Sequence, residues 1–310
     1  DKYGDARRTE IQDVEDDIDV EDLIEEEACV FTLTHGGYIK RTPASDYRAQ
    51  GRGGQGSRGM ATREEDYVQT VFTASTHDYI VFFTDKGQAY RKKGYEIPRA
   101  AREARGTNIV NVIPADGGER VTAMIHTREL NEDRFLVMVT RNGTVKRLAA
   151  SALRNIRSVG LRAISLDEGD ELIAVRDTDG QQNILIVTRN GMAICFDEND
   201  VRTMGRTAMG VRGIRLREGD AVVGAVRTWP GAMLLSVTEN GYGKRTPVEE
   251  FLRGGEDAGP QKRGGLGLKS YTCTEKTGKV ADAKLVDDAD DILVVSDDGT
   301  VIRMAADSIS

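Results

Sequence analysis

The sequence predicts an all-β fold, a propeller-like ring of six four-stranded blades in a single domain over residues 1–310, from two glycine markers in one period and a recurring apolar strand. Glycines about fifty residues apart, Gly37, Gly87, Gly143, Gly191, Gly241 and Gly299, each follow a short apolar run. A Ser or Thr stands three residues before each one (Thr34, Thr84, Thr140, Thr188, Thr238, Ser296), and four residues after it comes Arg41, Arg91, Arg147, Cys195, Arg245 or Arg303. A unit of this size built from short strands cannot close a core alone, and stacking units around an axis solves that problem.

Taken in order, residues 1–28 form a lead-in strand and an acidic connector, and the blades run over approximately 29–78, 79–134, 135–183, 184–232, 233–291 and 292–310. The incoming strands, Val30–Leu33, Ile80–Phe83, Val137–Val139, Ile184–Val187, Leu234–Val237 and Ile292–Val295, are nearly continuously apolar, which suits burial between neighbouring sheets. Asn-Gly at 142–143, 190–191 and 240–241 and Asp-Gly at 298–299 predict two-residue type I′ hairpins. A second glycine follows each of the first five hairpins (Gly56, Gly106, Gly160, Gly210, Gly264), with an apolar residue four positions on at Met60, Val110, Ile164, Ile214 and Leu268. Helix is expected to be scarce; the most helix-like stretch, Val20 to Glu27, reads as a solvated connector.

Three unclustered cysteines, Cys29, Cys195 and Cys273, argue against a disulfide framework and fit a reducing compartment, so a cytoplasmic location is expected. No apolar run approaches the length of a membrane span, and the amino end lacks a secretion leader. The net charge of −8 is unevenly placed: residues 1–30 hold 13 acidic and 3 basic side chains, leaving 38 acidic against 40 basic in the remainder. Tyr38 to Arg63 carries six Lys/Arg against Asp46 alone, Lys86 to Arg105 seven against Glu96 and Glu103, and Arg141 to Arg162 six against none.

In a propeller, one phase of the repeat maps to one place on every blade, so phased cations predict a basic track around the rim. Duplex DNA, with one phosphate per about 1.7 Å of axis, is the partner such a track fits, with little sequence preference. Curling about 40 base pairs through half a circle costs on the order of 10 kcal/mol, so many equivalent contacts spread along an arc are needed. Candidates for these contacts are Lys40, Arg41, Arg48, Arg58, Arg91, Lys92, Lys93, Lys146, Arg147, Arg154, Arg157, Lys244, Arg245 and Arg303.

Gln50-Gly51-Arg52-Gly53-Gly54-Gln55-Gly56 resembles the gyrase A box, Gln-Arg/Lys-Arg-Gly-Gly-Arg/Lys-Gly. Glu21–Ile24, Thr34–Lys40, Thr76–Asp78, Gly210–Leu216 and Asn240–Thr246 extend the likeness to essentially the whole chain, which is similar to the carboxy-terminal domain of the DNA gyrase A protein. The resemblance implies a β-pinwheel whose neighbouring blades exchange strands and whose rim wraps DNA to direct strand passage toward negative supercoiling. It places Gln50, Arg52, Gly53, Gly54, Gln55 and Gly56 on the wrapping loop of the first blade, although Gly51 and Gln55 stand where the family has basic residues. Arg7–Ile11 resembles the family's first strand, which implies that the amino end clasps the sixth blade. The implied partners are duplex DNA, the amino-terminal cleavage core of gyrase A, and gyrase B in an A2B2 enzyme whose ATP and Mg are bound elsewhere; the isolated domain is expected to be a monomer.

His35, His77 and His126 lie in different repeats or phases without paired cysteines, so no metal site is expected. The glycine-rich loop lacks the Gly-Lys-Ser/Thr ending of a nucleotide cradle. No cofactor and no catalytic residue are therefore expected in this domain, and no enzyme activity for it alone. Two alternatives remain: the related carboxy-terminal domain of topoisomerase IV, and a protein-interaction propeller of the WD or kelch kind. The second fits poorly with 5% aromatic content and Trp229 as the one tryptophan.

Overall fold

In the computed structural model, residues 19–47, 66–254, 258–295 and 301–310 are described. The chain folds as the expected hairpins: Ala28–Thr34 with Tyr38–Pro43, Tyr79–Thr84 with Gln88–Lys93, Phe135–Thr140 with Thr144–Ala149, Asn183–Thr188 with Met192–Asp197, Met233–Thr238 with Gly243–Pro247, and Asp291–Val295 with Val301–Ala305. Each of the first five gains an inner strand from its own repeat: Val68–Ser75, Val121–Thr127, Leu172–Thr178, Val222–Thr228 and Val280–Val286. These inner strands touch one another from blade to blade, so they face the axis and the opposite sheet edge faces outward.

The outer strand of a blade comes from the next repeat. Thr107–Asn108 pairs with Tyr38–Ile39, Leu161–Arg162 with Gln88–Ala89, Val211–Arg212 with Thr144–Val145, and Leu268–Lys269 with Met192–Ala193. Six four-stranded blades are therefore not what forms. Among the described residues there are five blades, four of them four-stranded and the fifth three-stranded, followed by a two-stranded hairpin. A blade is completed by the glycine segment one repeat downstream, and among the described residues four hairpins receive one. The amino-terminal clasp at Arg7–Ile11 lies outside the described residues.

Two local expectations are also corrected. No residue other than glycine has a positive φ among the described residues, which excludes type I′ turns at the Asn-Gly pairs. Instead the glycine amide donates to the carbonyl three residues back (Gly143 to Thr140, 3.0 Å) and glycine alone takes the left-handed position, as in a three-residue loop with a bulge. The recurrent threonine explains why: its hydroxyl accepts the amide four residues on, in Thr34–Tyr38, Thr84–Gln88, Thr140–Thr144, Thr188–Met192 and Thr238–Tyr242. The second correction concerns the fifth repeat, where the donated strand follows Gly267 rather than Gly264.

Apolar clusters fill the seams between successive blades. Phe31, Ile39, Ile80 and Phe82 pack in the first, Val81, Phe83, Leu136 and Leu148 in the second, Val137, Ile184, Ile194 and Phe196 in the third, and Leu185, Leu234 and Phe251 in the fourth. Alternate residues of each strand face opposite seams, so both faces are buried and the strands read as continuous apolar runs. Val20 to Leu23 forms one 3-10 turn with Val20 and Leu23 exposed, consistent with a solvated connector.

Candidate nucleic-acid interface

The recurrent arginine four residues after the hairpin glycine projects from the second hairpin strand toward the 3-10 turn of the next repeat. Arg41 Nε donates to the Ile97 carbonyl at 2.7 Å, and Ile97 caps the turn Gly94–Glu96. Arg91 reaches the Leu153 carbonyl at 3.5 Å and that of Arg154, at the end of the turn Ala150–Leu153. Arg147 reaches the Val201 carbonyl at 3.5 Å and Asn199 Oδ1 at 3.2 Å beside the turn Glu198–Asp200. Arg245 Nε donates to the Ile309 carbonyl at 2.5 Å, after the turn Ala306–Ser308. At the fourth position the side chain is Cys195, and Gln261 supplies the missing donor: its Nε2 takes the Phe251 carbonyl at 2.8 Å while its amide bonds the Cys195 carbonyl. The arginine phase thus staples one repeat to the next.

The lysine one residue earlier is buried where a donated segment covers it. Lys40 and Lys146 are both 0% exposed. Lys40 Nζ donates to the carbonyls of Ala101 and Ala104 at 3.1 Å and to that of Arg102. Lys146 Nζ donates to those of Ala163 and Arg206 at 2.7 Å and Ala208 at 3.1 Å. Burial holds Lys146 down at about 8, and burial with the nearby Arg102 charge lowers Lys40. At the same position in the second blade, Tyr90 is pushed up to about 12 by burial and by Glu119 beside it. Lys244, in the blade that has three strands among the described residues, is exposed.

The remaining candidates divide in the same way. Lys92 pairs with Glu96 at 3.9 Å, and Lys93 with Glu21 at 3.2 Å while lying over the Tyr79 ring. Arg303 pairs with Asp291 across its own hairpin, and Arg245 also meets Asp288 at 2.6 Å. Arg147 is 6% exposed with its guanidinium 3.9 Å from the Phe135 ring centroid. Arg154 is exposed with Nε on the Leu130 carbonyl at 2.6 Å, and Arg157 is exposed. Arg48, Gln50, Arg52, Gly53, Gly54, Gln55, Gly56 and Arg58 lie outside the described residues. Among the described candidates, Lys40, Lys146 and Arg147 are buried, Arg41, Arg91 and Arg245 are engaged across blade seams, and Arg154, Arg157, Lys244 and Arg303 are exposed.

The outermost strands carry a cation phase that these candidates miss. Arg162, Arg212 and Lys269 are the second residues of donated strands, exposed on the outer edges of three successive blades. The first blade has Asn108 there. A signal for them was present: each stands two residues after the glycine that opens its strand, Gly160, Gly210 or Gly267. Arg99, Arg105, Arg157, Arg202, Arg206, Arg215 and Lys262 lie exposed on the same connecting segments.

The family model for the DNA gyrase C-terminal domain, β-propeller, matches residues 30–75, 78–128, 134–179, 182–228, 232–287 and 290–310. The DNA gyrase A protein of Clostridium acetobutylicum is 47% identical over 309 residues, covering 100% of this chain and 36% of that protein. The DNA gyrase A protein of Staphylococcus aureus is 48% identical over 314 residues, covering 100% and 35%. The chain therefore spans about a third of the length of these relatives. Among solved structures, a DNA gyrase A C-terminal domain superposes with a TM-score of 0.70 at 29% identity, over 91% of this chain and 90% of that one. A DNA topoisomerase IV C-terminal domain gives 0.77 at 26% identity, over 93% and 86%.

Proposed function

The chain belongs to the DNA gyrase C-terminal β-propeller family, and on that premise we propose that it binds duplex DNA along the outer edges of its blades and wraps it without reading sequence. The observation that carries this reading is the exposed cation at one phase of successive donated strands, Arg162, Arg212 and Lys269, on the edge away from the axis. Arg154, Arg157 and Lys244 add exposed charge, and Arg52 with Gln50, Gly53, Gly54, Gln55 and Gly56 adds the box. Lys40, Lys146 and Arg147 contribute by fixing blade to blade, since buried charge engaged with carbonyls is poorly placed to meet phosphate. Arg41, Arg91, Lys92, Lys93, Arg245 and Arg303 reach DNA only by sharing their present partners.

Phosphate contacts position a duplex and carry no base information, which makes the wrap sequence-tolerant and strongly salt-dependent. In the whole protein the wrap feeds strand passage by the amino-terminal core of gyrase A with gyrase B in an A2B2 cytoplasmic enzyme, with ATP and Mg handled outside this domain. The likeness to a topoisomerase IV domain supports a second assignment, against which stands 47–48% identity to gyrase A over the whole chain. The test is relaxed circular plasmid incubated with the protein and treated with a nicking-closing enzyme. A wrapper changes the linking number; a protein-interaction propeller leaves it where it was.

A further inference from the structure

We propose that Val159, Met209 and Leu266, the exposed apolar residues immediately before the donated-strand glycines, form a second, uncharged class of DNA contact that seats against deoxyribose and base edges in the minor groove. The proposal rests on the DNA-binding reading above.

These side chains are 73%, 44% and 38% exposed, respectively. Their exposure is built into the backbone. Gly160, Gly210 and Gly267 have φ of 80°, 101° and 77°, and a Cβ on them would stand 3.0, 2.6 and 2.3 Å from the carbonyl oxygens of Ala89, Val145 and Ala193 on the receiving strands. The glycine is pressed onto the blade, and the residue before it is left on the outside. Apolar residues further along the same segments do go inside: Ile164 and Ile214 are buried. Three apolar side chains at one phase are thus left open to solvent over 38–73% of their surface.

Charge defines the occupant. Each apolar residue lies three positions before an exposed cation of the outermost strand, Arg162, Arg212 or Lys269, and Arg157, Arg206 and Arg263 precede it on the other side. Three residues span at most about 10 Å, within the scale from the middle of a minor groove about 6 Å wide to the phosphates beyond its edge. A ligand that offers an apolar furrow bordered by anions, repeated along a curve, is duplex DNA. Deoxyribose is the same at every step, so contact with it adds affinity without adding sequence preference. In the first blade the equivalent residue is Arg105, stacked 5.1 Å from the Tyr38 ring centroid, so the apolar contact begins at the second blade.

The experiment measures binding of a duplex fragment against potassium chloride concentration for the protein, for Val159→Ser/Met209→Ser/Leu266→Ser, and for Arg162→Ala/Arg212→Ala/Lys269→Ala. The serine variant is expected to bind about tenfold more weakly at every salt concentration with the same slope of log K against log salt, because apolar burial and not phosphate is lost. The alanine variant is expected to flatten the slope by roughly 0.9 for each contact removed. Val159→Ile/Met209→Leu/Leu266→Met restores wild-type binding. Serine substitution that leaves affinity unchanged, or that alters the salt slope, overturns the proposal, as does a serine variant that dissociates an oligomer of the wild-type protein in sedimentation. If the serine variant loses its fold by circular dichroism, Val159→Ser alone is read instead, with about a twofold loss expected from partial burial of one side chain and no loss overturning the proposal. Failure of the wild-type protein to bind duplex at all sinks the DNA-binding reading instead, so the two failures are distinguishable.

Discussion

Arg41 and Ile97 are joined across the seam between the first hairpin and the second repeat by a 2.7 Å hydrogen bond from Nε to the carbonyl that ends a 3-10 turn. The corresponding bond from Arg147 to the Val201 carbonyl runs from Nη1 and is longer, 3.5 Å, and the guanidinium also lies over the Phe135 ring. Removing Arg147 strips a donor from the buried Val201 carbonyl and packing from the Phe135 ring, so Arg147→Ala is expected to lower stability by about 2–3 kcal/mol. Urea denaturation checks this, with Arg303→Ala, whose partner Asp291 is exposed, as a variant that keeps the wild-type midpoint.

The donated strands make a sharper demand. Gly210, with φ of 101°, sits where a Cβ would be 2.6 Å from the Val145 carbonyl oxygen, and backbone cannot step aside as a side chain can. Gly210→Ala is expected to cost about 3 kcal/mol or more, combining left-handed strain with a backbone collision. Gly169→Ala, at φ of 77° in open space, carries the strain alone and costs about 1 kcal/mol. Thermal denaturation of both separates the two terms.

Period and strand type were legible because both faces of each hairpin strand are buried and the turn glycines recur. The blade count was not, because completion depends on a two-residue strand from the next repeat, and so short an element leaves no periodicity to read. Asn-Gly pointed to the wrong turn type: the hydroxyl of Thr140 and its equivalents, which select the three-residue loop, carry no turn signal on their own. The arginine phase was visible, but its partners within the fold were not. A cation recurring once per blade looks like a rim contact, and only the partner carbonyls of Ile97, Val201 and Ile309 reveal a staple. Arg162 and Arg212 stand two residues after second glycines that the sequence marks, but Lys269 breaks the series because its strand follows Gly267 and not Gly264.

The cysteines offer a test of the seams. Cys195 lies in the fourth seam with its thiol pushed up to about 11 by burial, and burial also raises Cys29. Cys273 is partly exposed. Under native conditions a thiol reagent is expected to modify Cys273 first, with Cys195 and Cys29 reacting only as the blades open, at rates that rise with urea. Equal labelling of all three in the absence of urea contradicts the burial.

Lys146 predicts a pH dependence of stability with a definite sign. Its ammonium is charged in both folded and unfolded chains below about 8, so the whole cost of burying the charge is present there. Between about 8 and the unfolded value, about 10.4, the folded protein releases a proton that the unfolded chain keeps, and stability rises by up to about 1.4 kcal/mol per pH unit from this group. Lys146→Met removes that titration and strands the carbonyls of Ala163, Arg206 and Ala208 without their donor. The variant is therefore expected to be less stable than wild type by about 2–4 kcal/mol at neutral pH, and the gap widens as pH is raised from about 7 to about 9. Lys244→Met, at the exposed equivalent, is expected to match wild type at both pH values. Urea denaturation of the three proteins at each pH decides it: a gap that narrows with rising pH contradicts a lowered Lys146.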